Sequence, residues 1–175
     1  MLVAFVESIK YVGHLLPIAF MRIFLGYFYF NQALSRIRGD FLTHAYLAED
    51  IRGYLPRSSA PDWFKLALEN IVIPNWQYFA IAFAGLQLFI GLSYIIGYLV
   101  RPFSIIAILL GFATFFSVGT FATVGAPGLG GALGPQAESL AMFLLVLHFT
   151  LGWMGAGRCL GVDYYFYKRR RGVWW

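Results

Sequence analysis

From Tyr78 to Pro102 the chain carries no charged side chain until it reaches Arg101. About 20 apolar residues rising about 1.5 Å each match a hydrocarbon core roughly 30 Å thick, and a run so apolar is hard to keep in water. The stretch is read as a membrane-crossing helix. Taken in alternating steps of four and three, Ala80, Ala84, Gln87, Gly91, Tyr94 and Tyr98 fall on one face, and the positions between them are mostly Phe, Leu and Ile. Lipid gives no hydrophobic drive for helices to associate, so a face of small residues that lets backbones approach marks the packing side. Arg101 and Pro102 are expected to end this helix at an interface and to start the next.

The rest of the chain follows the same composition: of 175 residues, 60% are hydrophobic and 12% charged, with a mean hydropathy of +0.70. The fold class expected is all-α, an integral membrane four-helix bundle forming a single domain over residues 1–175. Its spans fall near 15–34, 76–100, 102–124 and 135–157, with a 40-residue external loop at 36–75 and a basic tail at 158–175. The small residues Ala33 to Ser35 would suit a signal-cleavage site, but Arg22 interrupts the apolar run before them, and Leu15 to Leu34 is kept as the first helix. Phe103 to Thr123 shows Ser104, Ala107, Gly111 and Thr114 at helix-face spacing. The connection from Gly125 to Gly134 is too rich in glycine to continue a helix, which places Pro135 at the first position of the fourth. That helix shows Glu138, Ala141, Leu145, His148, Gly152 and Gly155 on one face.

The external loop should hold two short helices, the first capped by Asp40 and the second opened by a capping box from Ser59 to Asp62, with Trp63, Phe64, Ala67, Leu68 and Ile71 on its apolar, interfacial face. Counting lysine and arginine sets the orientation. Lys10, Arg101, Arg158 and Lys168 to Arg171 make seven on the side of the termini, against five in the loop, so both termini are expected in the cytoplasm and the protein in the cytoplasmic membrane. The net charge of +5 is largely the terminal cluster, which reads as an anchor beside anionic headgroups and excludes a nucleic-acid partner. The single cysteine, Cys159, excludes an internal disulfide or a covalent haem motif. The partners expected are the bilayer and other membrane subunits.

Polar residues inside the spans are the functional candidates, because they are expensive there. Arg22, Glu138 and Asp163 read as structural: Arg22 as a tie between helix ends with Tyr94 or Asp163 at a compatible depth, and Glu138 as an acid favoured near a helix N-terminus. Gln87, His148 and Tyr94 read either as interhelical hydrogen bonds or as a quinone site, where amide, imidazole and phenol meet ring carbonyls. His148 is also the residue type that ligates a tetrapyrrole, and the aromatic outer faces suit pigments such as a carotenoid. Arg36, Arg38, Arg52 and Arg57 are candidates for a tetrahedral oxyanion, which suits the guanidinium fork. No metal-site pattern and no catalytic residue is assigned.

Arg22-Ile-Phe-Leu-Gly26 with Ala33, then Gly91, Gly97 and Arg101, then Gly155-Ala-Gly-Arg158 and Asp163, together resemble the DoxX/DoxD family of four-helix membrane proteins. The length and the long first loop are more similar to the DoxD branch, the small subunit of thiosulfate:quinone oxidoreductase. The resemblance implies a membrane subunit of a redox complex that couples thiosulfate oxidation to quinone reduction, and Gln87 departs from the acid that many family members carry there. The alternative is a non-catalytic accessory or scaffold subunit of a larger respiratory or photosynthetic assembly, packed against partners, lipids or pigments.

Overall fold

The computed structural model describes residue 6 and residues 15–58, 60–118 and 129–170, with side chains throughout except at 57, 114–115, 117–118, 129–141 and 167–170. Among these every regular element is a helix: α1 (Leu16–Arg38), α2 (Tyr46–Tyr54), α3 (Asp62–Ala67), α4 (Trp76–Ile96), α5 (Val100–Val118), α6 (Leu129–Met154) and α7 (Asp163–Arg170). Among the described residues one helix, α4, is long and apolar enough to cross a membrane, and Val100–Ala113 and Met142–Met154 are shorter apolar stretches.

The four long helices each bury a narrow stripe. In α1 it is Ala19, Arg22, Gly26, Tyr29, Ala33 and Arg36; in α4 it is Ala80, Ala84, Gln87, Gly91 and Tyr94; in α5 it is Val100, Ser104, Ala107 and Gly111; in α6 it is Leu144, His148 and Leu151. Alternating steps of three and four give a repeat near 3.5 residues, the spacing that keeps one seam of a helix against its neighbours. The other faces stay apolar and exposed, as at Phe24 (72%), Tyr78 (76%), Leu109 (65%) and Trp153 (77%).

The chain divides into two compact units, the first of Met1–Asn31, Gln87–Ile108 and Val146–Trp175 and the second of Gln32–Leu86 and Leu109–Leu145. Within the first, α1 and α4 approach through Gly26 and Gly91: a Cβ on Gly26 would lie 2.8 Å from Ile95 N, and one on Gly91 2.7 Å from Phe30 N. Any side chain there would drive the two backbones apart. Within the second, Leu47, Ala48, Ile51 and Leu55 of α2 pack with Leu68, Ile73 and Ala80.

Several local features differ from the expectations. Helix α4 ends at Ile96, not at Arg101, because Gly97 (φ +72°) and Leu99 (φ +55°) take left-handed conformations. Tyr98 is therefore outside the helix and exposed, while Arg101 and Pro102 lie in the first turn of α5, where proline lacks no intrahelical partner. Asp40 caps no helix. It opens a single 3-10 turn, Asp40–Leu42, whose carbonyl accepts from Thr43 and His44, and α2 begins after Ala45 with no side-chain cap. The expected capping box is also missing, with Pro61 at the cap of α3 and Ser59 outside the described residues. Ser58 acts there instead, accepting from the Ala60 N–H at 3.1 Å and donating to the Phe116 carbonyl at 2.7 Å. Helix α6 starts at Leu129, ahead of Pro135, since a proline inside a helix removes one hydrogen bond without forbidding the turns before it.

Two glycines of α4 separate packing from propensity. Gly85 has open space around its Cβ position, so Gly85→Ala should raise stability by about 0.5–1 kcal/mol through helix propensity and chain entropy. Gly91→Ala should lower it. Thermal unfolding of both variants in detergent checks the pair, and an unchanged midpoint for Gly91→Ala would rule out the close crossing.

Candidate functional site

In the first unit, α1 carries Arg22 into a site with no solvent exposure. Its Nη2 donates to the Leu160 carbonyl at 2.9 Å and its Nη1 to the Ala156 carbonyl at 3.2 Å, while Nε has no hydrogen-bond partner. A guanidinium cut off from water needs acceptors, and here the backbone between α6 and α7 supplies them. Glycines make room: a Cβ at Gly97 would overlap Arg22 Nη1, and one at Gly157 would overlap the Asp163 carboxylate. Asp163 in turn accepts from the Leu99 N–H at 2.8 Å and the Val100 N–H at 3.1 Å, capping α5. Burial pushes the Asp163 carboxyl up from its ordinary value, and the two backbone donors, Arg22 and Arg101 pull against that.

A second buried group joins α1, α4, α5 and α6. The Tyr94 hydroxyl donates to Ser104 Oγ at 3.0 Å, and Ser104 donates to the Val100 carbonyl at 2.8 Å. With its one proton given to Ser104, Tyr94 can only accept at its 2.9 Å contact with His148 Nδ1. His148 in its neutral form therefore carries its proton on Nδ1, which leaves Nε2 as the acceptor for the Tyr29 hydroxyl at 2.7 Å. Both ring nitrogens are occupied by tyrosines. The chain runs in one direction, from Tyr29 through His148, Tyr94 and Ser104 to a backbone carbonyl, and Tyr29, Tyr94, His148 and Ser104 are each at most 1% exposed.

Ser104 and His148 also form the floor of a cleft of about 400 Å³. Its walls are Ile105, Ile108, Phe149, Gly152 and Trp153, with Arg101 at the edge. Gly152 brings α6 close to α5, since a Cβ there would lie 2.9 Å from Ser104 Cβ. Phe149 and Trp153 stack with ring centroids 5.8 Å apart.

In the second unit the loop arginines whose side chains are described do not gather. Arg36 is 2% exposed, with its guanidinium 4.5 Å from the Phe83 ring centre and 5.2 Å from that of Phe41, a cation–π arrangement. Arg38 is exposed elsewhere on α1, and the Arg57 side chain lies outside the described residues. Arg52 lines a cavity of about 470 Å³, with Lys65, Glu69, Leu55, Pro56 and Ile73.

The structure thus brings His148 and Tyr94 together, and Arg22 near Asp163. Gln87 is buried on α4 two turns before Tyr94, away from the cleft walls, and the Glu138 side chain lies outside the described residues. Tyr29, Ser104, Arg101 and Lys65 were not singled out by the sequence as site residues. Tyr29 does fall two turns after Arg22 on the same stripe, and Ser104 heads the small-residue stripe of α5, so both had a positional signal. Among the described residues no cluster of His, Cys, Asp and Glu could hold a metal ion, and the buried Cys159 packs against Leu15 and Ala19. Set against protein-family models, curated proteins and solved structures, the chain matches none.

Tyr29→Phe removes the donor to His148 Nε2 and should destabilise the fold by about 0.6–2 kcal/mol, the range for interhelical hydrogen bonds in membranes. Nitrogen-15 NMR of labelled histidine should show the Nδ1–H tautomer at His148; an Nε2–H signal would overturn the direction of the chain.

Proposed function

We propose that the chain is a multi-pass integral membrane protein of DoxX/DoxD type, serving as a non-catalytic accessory subunit of a larger respiratory or photosynthetic membrane assembly. It is a four-helix bundle in the cytoplasmic membrane, with both termini cytoplasmic. The observation that carries this reading is the closed hydrogen-bond chain around His148, in which both ring nitrogens are spent on tyrosines and none is left for a ligand. Arg22 and Arg36 are likewise used in packing. The 3.5-residue stripes support a bundle, and the exposed apolar faces of α1, α4, α5 and α6 suit lipid and partner helices. Gly97 and Gly157 of the family pattern lie against Arg22 and Asp163, which supports the resemblance without assigning a reaction.

A second reading, the membrane subunit of a thiosulfate:quinone oxidoreductase, is favoured by two observations. The cleft over Ser104 and His148 is wide enough for a flat ring, and Arg52 with Lys65 lines the loop cavity where an oxyanion would find two cations. Glu69 on the same cavity weakens that field.

Arg22→Leu should abolish accumulation and assembly, read by blue-native gels of solubilised membranes with copurifying subunits identified by mass spectrometry. An Arg22→Leu complex that assembles normally but no longer reduces quinone would favour the oxidoreductase. Replacing Arg52 and Lys65 together by Gln should leave any thiosulfate affinity unchanged in the intact complex, and a weakened affinity would overturn the accessory reading. Single cysteines at positions 57 and 173 should label from outside and inside respectively, and external labelling of position 173 would reverse the topology.

A further inference from the structure

Helix α1 carries a second seam that none of the packing described above uses. Phe20, Phe24, Tyr27 and Asn31 recur in steps of four, three and four, and all four are exposed, the rings at 60%, 72% and 60%. At about 100° per residue, Phe24 stands about 160° from both Arg22 and Gly26, so this seam backs onto the buried stripe. Its rings suit lipid as well as protein; its amide does not. The Asn31 side chain makes no hydrogen bond with any described residue. A Cβ on Gly91 would lie 2.7 Å from Phe30 N, which sets Asn31 level with a point on α4 five residues before its end at Ile96, about 8 Å inside. A side chain with one methylene group cannot reach back over that distance to the interface as lysine and arginine do. An amide left against hydrocarbon with its donors and acceptor unmet is costly, so a polar group has to cover it.

We propose that this seam is the contact between two copies of this chain, α1 of one protomer lying parallel to α1 of its partner about a two-fold axis along the membrane normal, with the two Asn31 amides hydrogen-bonded to each other. An amide both donates and accepts, so it is its own complement. A two-fold axis brings the same patch of both copies together, and copies inserted in the same direction present Asn31 at the same depth. A single asparagine on a 3.5-residue seam is a device that fixes register and copy number, and side-chain amides hydrogen-bond across helices in membranes. Phe20, Phe24 and Tyr27 extend the contact along the helix on one side of the amide. An acyl chain offers the amide nothing, and an unrelated helix would have to supply a polar group at that depth. The pair goes beyond the accessory reading and rests on its membrane half.

The test uses the full chain in phosphatidylcholine liposomes. Phe24→Cys should cross-link to a second copy on oxidation, whereas wild type, whose Cys159 is buried, and Leu109→Cys, on an exposed face of α5, should not. Energy transfer between labelled chains, diluted stepwise in lipid, gives the dissociation constant of the pair. Asn31→Leu should raise it roughly three- to thirtyfold, the worth of an interhelical hydrogen bond, and Asn31→Gln, which keeps the donors and the acceptor, should raise it less. Position 31 is exposed within the protomer, so neither substitution should change the helical content read by circular dichroism. A chain that is monomeric at every dilution, an Asn31→Leu variant that pairs as tightly as wild type, or Phe24→Cys that cross-links in native membranes to another subunit and not to itself would each overturn the proposal. Alkaline extraction of the same membranes separates the two failures. A chain that stays in the bilayer as a monomer sinks the pair alone, and a chain released into the wash sinks the membrane reading beneath it.

Discussion

The guanidinium of Arg22 is the constraint on which the first unit depends. It is fully buried, and two of its nitrogens are satisfied only by carbonyls 134 and 138 residues further along the chain. Carbonyls can turn toward it only where the backbone leaves a regular helix, so the segment from Gly155 to Leu160 has to be irregular. Positive φ at Gly155 and Leu160 is the form that irregularity takes. Asp163 then completes a circuit: it caps the first turn of α5, and its own N–H donates to the Gly97 carbonyl at 2.9 Å. One buried charge thereby fixes where α4 stops, where α5 starts and how α6 hands over to α7.

The chain through His148 has a different character. It holds no formal charge when the imidazole is neutral, and each hydroxyl proton has one assigned acceptor. Its direction is set at the far end, by the Val100 carbonyl, and propagates back to the histidine tautomer. A buried polar network with every member satisfied rigidifies a core, whereas one that loses a member leaves a desolvated group behind. Four helices contribute to this one, so it fixes their register more narrowly than small residues alone.

The helical class and the buried stripes of α4 and α5 were legible in the sequence because a 3.5-residue pattern of small and polar residues survives whatever surrounds it. Arg22 could be assigned to the interior because a guanidinium inside an apolar run is too costly to leave facing lipid. Its partners could not, since backbone carbonyls have no letter of their own. The end of α4 was misplaced because Leu99 in a left-handed conformation leaves no trace in residue type, and Arg101-Pro102 looked like the natural stop. Arg36 was taken for a surface cation because its spacing shows charge and not the rings of Phe41 and Phe83 that receive it.

Small residues do two opposite things along α6. Gly152 lets Ser104 come close, and the same lack of side chain removes material from the outer surface just above the contact. Close approach in depth therefore opens a cleft at the surface, and the large neighbours Phe149 and Trp153, which stack on each other, cannot fold inward to fill it. Leu or Val at position 152 would fill the cleft only by pushing α5 away and straining the Tyr94–Ser104 hydrogen bond, which ties the size of the cleft to the integrity of the buried chain beneath it. The cleft is thus a product of how these helices pack.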